Sequence, residues 1–150
     1  MLSKSIADVV IDSRKATRSS MFVALAGDKA DGHQYVEQAF NSGAIAALVQ
    51  HDVVGDFVSL DLRDVNSVER QLQNVVSPVC LRVPDTLEAL QIFAQYWRNQ
   101  LDVRVVGITG SVGKTTTKEL ISSVLSRRFV TLKSEGNLNN EIGVPLSLLA

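Results

Sequence analysis

One stretch limits what this chain can fold into more than any other: Val105-Val106-Gly107-Ile108-Thr109-Gly110-Ser111-Val112-Gly113-Lys114-Thr115-Thr116. The apolar run Val103 to Ile108 predicts a buried strand, and Lys114 to about Ser126 predicts a helix. A strand that runs into a glycine-containing turn and then into a helix is the setting a phosphate-binding loop requires. The glycines let the backbone turn and bring successive N–H groups toward phosphate oxygens. The helix then aims its N-terminal dipole at the same anion. In that geometry Lys114 reaches the β and γ phosphates of ATP, and the Thr115 hydroxyl binds Mg²⁺. The spacing departs from G-x-x-x-x-G-K-[ST], because Ile108 holds the place of the first glycine and Gly110 comes two residues later. An ordinary strand-to-helix turn with a surface lysine is the competing reading. Gly-Lys-Thr directly after an apolar strand favours the phosphate loop.

Composition narrows the rest. With 45% hydrophobic and 21% charged residues the chain is built to fold as a soluble globular protein. A formal net charge of −1 argues against a broadly basic nucleic-acid surface. The single cysteine, Cys80, cannot form an internal disulfide and is expected to be a buried structural thiol. No secretory segment opens the chain, and apolar runs such as Ala44 to Val49 are too short to span a bilayer. A reducing, cytoplasmic setting is therefore expected, with no membrane and no nucleic-acid partner.

The first two thirds alternate strand and helix, an α/β pattern. Val9 to Ile11 and Met21 to Leu25 predict strands, the first ending in Asp12-Ser13-Arg14. Asp31 and Gln34 have capping-box spacing and predict a helix start near Gly32 or His33, with Val36, Ala39 and Phe40 inward and Gly43 as its stop. Ala44 to Val49 predicts a buried strand. The stretch from His51 to Pro78 is mixed strand and loop. Val79 to Val83 predicts a strand, and Asp85 with Glu88 caps a helix that places Leu87, Leu90, Ala94 and Trp97 on one packing face. A polar run at Arg98-Asn99-Gln100 marks a domain boundary, giving domains at 1–100 and 101–150. After the second helix, Phe129 to Leu132 predicts another strand. Two strands cannot complete a phosphate-loop domain, so residues 101–150 are expected to be the beginning of a larger parallel-sheet ATPase domain.

Three further segments invite a chemical reading. The asparagine-rich run from Glu135 to Leu146 falls where strand ends face ligands in such folds, though taken alone it is a turn. Asp12-Ser13-Arg14 is explained equally well by a capped turn. His33 by itself reads as a helix-start residue and His51 as an exposed one without a partner pattern. No histidine and cysteine cluster has metal-ligand spacing, and no nucleophilic triad is visible.

In this order, the segments resemble the Mur ligases, the amide-forming enzymes of peptidoglycan assembly. Thr109, Gly110, Ser111, Val112, Gly113, Lys114, Thr115 and Thr116 look like that family's nucleotide-binding loop, which accounts for the shifted glycine. Val112 departs from the asparagine common there and leaves only its backbone for phosphate. Gly136 to Leu146 looks most like the F-type members, which add D-alanyl-D-alanine to UDP-N-acetylmuramoyl-tripeptide. Asp12-Ser13-Arg14 and Asp31-Gly32-His33 look like the first domain of E-type and F-type members, which holds the UDP part of the substrate.

The resemblance implies an ATP- and Mg²⁺-dependent ligase. The tripeptide carboxylate takes the γ-phosphoryl group of ATP to become an acyl phosphate, and the D-alanyl-D-alanine amine then expels phosphate. It implies that Lys114 is catalytic, and that Thr115 holds the metal. Asn137 and Asn140 would lie near the nucleotide. Asp12, Ser13, Arg14 and His33 would lie at the UDP moiety. Later glutamate and lysine residues of the family and its third domain are not in these 150 residues, so the chain alone is expected to be inactive. The alternatives are an E-type ligase that adds one amino acid, a non-catalytic UDP-sugar-binding module, and an unrelated phosphate-loop ATPase.

Overall fold

Five short strands, all parallel, form one sheet in the order β1-β2-β3-β5-β4. They are β1 (Asp8–Val10), β2 (Ser20–Val23), β3 (Ala46–Val49), β4 (Val58–Asp61) and β5 (Val79–Arg82). The computed structural model describes residues 5–27, 30–64, 68, 75–136 and 138–150. All four residues of β2 and of β3 are buried. Continuous apolar strands are what a parallel sheet covered on both faces demands.

The two faces separate residue by residue, because successive strand side chains point opposite ways. Val10, Phe22, Ala47, Val49 and Cys80 join one cluster, with Val36, Ala39 and Phe40 of α1 (Val36–Asn41). Val9, Met21, Val23, Ala46, Leu48 and Val79 join the other, with Leu90 of α2 (Thr86–Gln100). Leu146 and Leu149 of α4 (Gly143–Leu149) pack on this second face. The result is a three-layer α/β unit. Cys80 is buried as expected, and burial pushes its thiol up to about 11.

Local signals account for the helix ends. The Asp31 carboxylate accepts from the His33 N–H at 3.0 Å, which starts a 3-10 turn (Gly32–Tyr35) leading into α1. Gly43 ends that helix with φ +113°, and a Cβ there would lie 3.0 Å from the Arg18 nitrogen, so only glycine fits without strain. The Asp85 carboxylate caps α2 by accepting from the Glu88 N–H at 2.9 Å. The face of α2 differs from expectation at its end. Thr86, Leu90 and Ala94 are buried, but Trp97 is 44% exposed, since the contact stripe stops one turn earlier.

Residues 101–150 depart further. The expected helix is present as α3 (Lys114–Leu125), but no strand forms at Val103–Ile108 or at Phe129–Leu132. A strand exists only through ladder partners, and neither segment has one among the described residues. Their apolar side chains stay open, with Val105 at 60% exposure and Leu132 at 72%. What holds this part to α3 is polar: Lys118 Nζ donates to the Ser134 carbonyl at 2.8 Å, and Lys133 pairs with Glu119. Among the described residues no helix is long and apolar enough to cross a membrane.

Candidate functional site

Because the sheet is parallel, the loops leaving β1, β2 and β3 emerge at one edge, the carboxyl edge where open α/β sheets bind ligands. The first loop forms a 3-10 turn (Ser13–Lys15). The Asp12 carboxylate accepts from the Arg14 N–H at 3.1 Å, from Nε at 2.9 Å and from Nη2 at 2.8 Å. These bonds hold the Asp12 carboxyl down at about 2 and raise the Arg14 guanidinium. The acid in this turn is thus neutralised locally. The guanidinium, its side chain 79% exposed, keeps N–H groups to spare for an anion. Ser13 is buried, and its hydroxyl donates to Gln38 Oε1 on α1 at 2.7 Å.

His33 is also buried, and both ring nitrogens are in use. Its Nε2 accepts from the Gln50 N–H at 2.9 Å, so the ring proton sits on Nδ1 and faces Asp31 Oδ1 at 2.5 Å. The Asp31 carboxyl is lowered by its bonds from the His33 backbone and ring. His33 therefore clasps the β2 loop to the end of β3, in keeping with its reading as a helix-start residue. His51 corrects an expectation: although exposed, it stacks on His33 with ring centroids 4.0 Å apart, and its Nε2 lies 3.6 Å from Asp31 Oδ2. Asp31, His33 and His51 bring ligand atoms within 4.8 Å of one another, a grouping that sequence spacing did not reveal. They do not make a good metal site. A cation on His33 Nδ1 would drive the ring proton onto Nε2, against the Gln50 N–H.

The phosphate-loop turn is built by two glycines in left-handed or extended positive-φ conformations, Gly110 at +144° and Gly113 at +83°. Gly113 starts α3, and no side chain caps that helix. The amides of Lys114, Thr115 and Thr116 thus lack intrahelical acceptors at a positive dipole end. Lys114 folds back over the turn, and its Nζ donates to the Gly110 carbonyl. Thr109, Ser111, Thr115 and Thr116 are exposed, and Val112 is 91% exposed, so its side chain reaches into solvent. Added Cβ atoms at Gly107 and Gly113 would meet nothing within 4 Å, which leaves room for phosphate beside the backbone. The uncapped amides and the open backbone beside them suit an anion such as a phosphate.

The asparagine-rich loop is divided. Asn137 lies outside the described residues. Asn140 Oδ1 accepts from the N–H of Gly143, the first residue of α4, at 2.8 Å, leaving its amide N–H groups for other partners. A Cβ on Gly143 would fall 2.5 Å from Leu138 Cα, so the close packing of this loop requires glycine. Gln91 of α2 donates to the Glu141 carbonyl at 3.2 Å, tying the loop to the first unit. Among the described residues, no hydrogen bond joins the phosphate-loop turn to Asp12, Ser13, Arg14 or His33. Gln38 and His51 escaped sequence reasoning. The signal for His51 was its place just after β3, next in the sheet to the strand that precedes His33.

The sequence model for the Mur ligase family, catalytic domain, matches residues 5–98, and that for the Mur ligase middle domain matches residues 108–150. The chain belongs to the Mur ligase family. It is 39% identical over 142 residues to the UDP-N-acetylmuramoyl-tripeptide–D-alanyl-D-alanine ligase of Bacillus subtilis, covering 95% of this chain and 27% of that protein. The crystal structure of MurF from Acinetobacter baumannii superimposes with a TM-score of 0.78 at 35% identity, over 99% of this chain and 28% of that one. MurF ligase from Thermotoga maritima, solved in complex with ADP, gives 0.74 at 29% identity, over 99% of this chain and 30% of that one. The chain thus spans a little over a quarter of the length of these relatives.

Proposed function

We propose that this chain supplies the UDP-substrate end and the ATP-binding loop of a cytoplasmic ligase of peptidoglycan precursor synthesis. That ligase joins D-alanyl-D-alanine to UDP-N-acetylmuramoyl-tripeptide. Residues 1–100 hold the UDP part of the substrate, and residues 101–150 begin the nucleotide-binding domain. The observation that carries the reading is the uncapped start of α3 at a left-handed glycine, with Lys114 folded over the same turn. The names of the relatives support the choice of amine and acceptor.

ATP with Mg²⁺, when bound, supplies the phosphoryl group that converts an unreactive carboxylate into an acyl donor. The amides of Lys114, Thr115 and Thr116 would hold phosphate oxygens, and the Lys114 ammonium, folded over the same turn, would offset their charge. The Thr115 hydroxyl would hold the metal. Asn140, whose Oδ1 is taken up by the Gly143 N–H, would offer its amide N–H groups to the nucleotide. Asp12 orients Arg14 for the diphosphate, while Ser13 and His33 shape the wall around the UDP group.

Calorimetry with MgADP and with UDP tests the division. Removing a charge-assisted contact is worth about 1.5–3 kcal/mol, so Lys114→Met should weaken MgADP binding by about 10- to 100-fold and leave UDP binding unchanged. Unaltered MgADP affinity would remove Lys114 from the phosphate site.

A further inference from the structure

Ser13 and Gln38 are joined across 25 positions of sequence by one hydrogen bond, and its direction has chemical consequences. Ser13 is 5% exposed, and its Oγ donates to Gln38 Oε1 at 2.7 Å. A serine hydroxyl has a single proton. With that proton committed, Ser13 offers a ligand only lone pairs. The neighbouring acid cannot reverse this, because Asp12 is occupied by three contacts from Arg14.

We propose that Gln38 is a positioning residue that sets the hydrogen-bonding polarity of Ser13 and thereby assigns Ser13 to the uridine, not the diphosphate; this rests on the reading of the Asp12–Arg14 turn as part of a UDP site. Diphosphate oxygens at neutral pH only accept hydrogen bonds, so they find no donor at Ser13. Uridine carries a ring N–H and two ribose hydroxyls that can donate. Gln38 itself lies exposed on α1. With its carbonyl held by Ser13, its amide keeps two N–H donors, and these have no protein acceptor among the described residues. Acceptor and donors then stand side by side, matched to a nucleoside. The exposed Arg14 guanidinium is left for the diphosphate.

The test measures binding of UDP and of uridine to the full chain by calorimetry and ligand-observed NMR. One neutral hydrogen bond is worth about 0.5–1.5 kcal/mol, so Gln38→Ala should weaken both ligands by the same factor, roughly 3- to 10-fold. Arg14→Ala should weaken UDP and spare uridine. Gln38→Glu keeps an acceptor for the Ser13 proton and should hold uridine more tightly than Gln38→Ala does. If the pair acts as a unit, Ser13→Ala/Gln38→Ala should lose little more than either single change. A role confined to stability would shift thermal melting and leave the affinity of the folded chain for both ligands unchanged. Gln38→Ala that leaves uridine binding unchanged while UDP binding falls would place Gln38 at the diphosphate and overturn the assignment. Unchanged binding of both ligands would overturn it too. Failure of the unaltered chain to bind UDP would bring down the UDP reading itself, and this assignment with it.

Discussion

At the scale of single residues, charge and backbone conformation decide what each group can do. Asp12 illustrates charge. Its folded pKa, about 2, lies below the ordinary 3.8 because Arg14 favours the ionised form. A depressed carboxyl stabilises the fold above its unfolded value, and that contribution disappears as pH falls through the folded one. Both groups reach solvent, so the effect on stability is small and the titration itself is the better observable. An NMR titration of the Asp12 carboxyl should show a midpoint near 2, and Arg14→Ala should return it toward 3.8. Gly113 illustrates conformation. A side chain at φ +83° costs roughly 1–2 kcal/mol, so Gly113→Ala should weaken MgADP binding by about tenfold and leave UDP binding intact, as calorimetry would show. The turn at Gly113 was legible in the sequence, because a glycine between an apolar run and a helix start supplies the positive φ found there. Gln38 was not, because nothing local to a glutamine on a helix says that it meets Ser13 across 25 positions.

At the scale of elements, caps and turn residues carry most of what sequence can foretell. Asp31, Gly43 and Asp85 sit at helix ends as their spacing predicts, since capping is settled within a few residues. Asp85→Ala should lower stability by about 1 kcal/mol in urea unfolding. Asn140→Ala should act differently. It removes the bond to the Gly143 N–H that starts α4, and α4 packs on the face of the sheet that also holds α2. Hydrogen exchange should therefore quicken in α4 while α1, on the opposite face, keeps its protection. Equal quickening in both helices would show that α4 is not a separate unit. The strands foreseen at Val103–Ile108 and Phe129–Leu132 show the limit of this scale. Their composition suits β structure, but pairing is a property of two segments and cannot be read from one.

At the scale of the whole molecule, residues 5–100 have a core on both faces of a sheet, whereas α3 buries no residue at all. Stability is therefore uneven along the chain. Amide exchange should be slowest in β2 and β3, whose residues are all buried, and fast in residues 103–112, which lack ladder partners. Phe22, 1% exposed at the centre of one cluster, is the most telling core substitution. Phe22→Ala should cost about 3–5 kcal/mol, and the sheet, α1 and α2 should then unfold in one transition. A separate transition for α1 would show that the two faces do not form one cooperative unit.

Sequence alone settled the features whose physics is local. These are the glycine turn before α3 and the carboxylate caps of Asp31 and Asp85 at the starts of their helices. Tertiary structure alone decided the features that need two distant segments to meet. Among them are the strand order β1-β2-β3-β5-β4, the clasp of His33 by Asp31 and Gln50 with His51 stacked upon it, and the bond that commits the Ser13 proton to Gln38. Backbone conformation is set by the nearest neighbours along the chain, while hydrogen-bond partnership and burial are set by whatever the fold brings alongside.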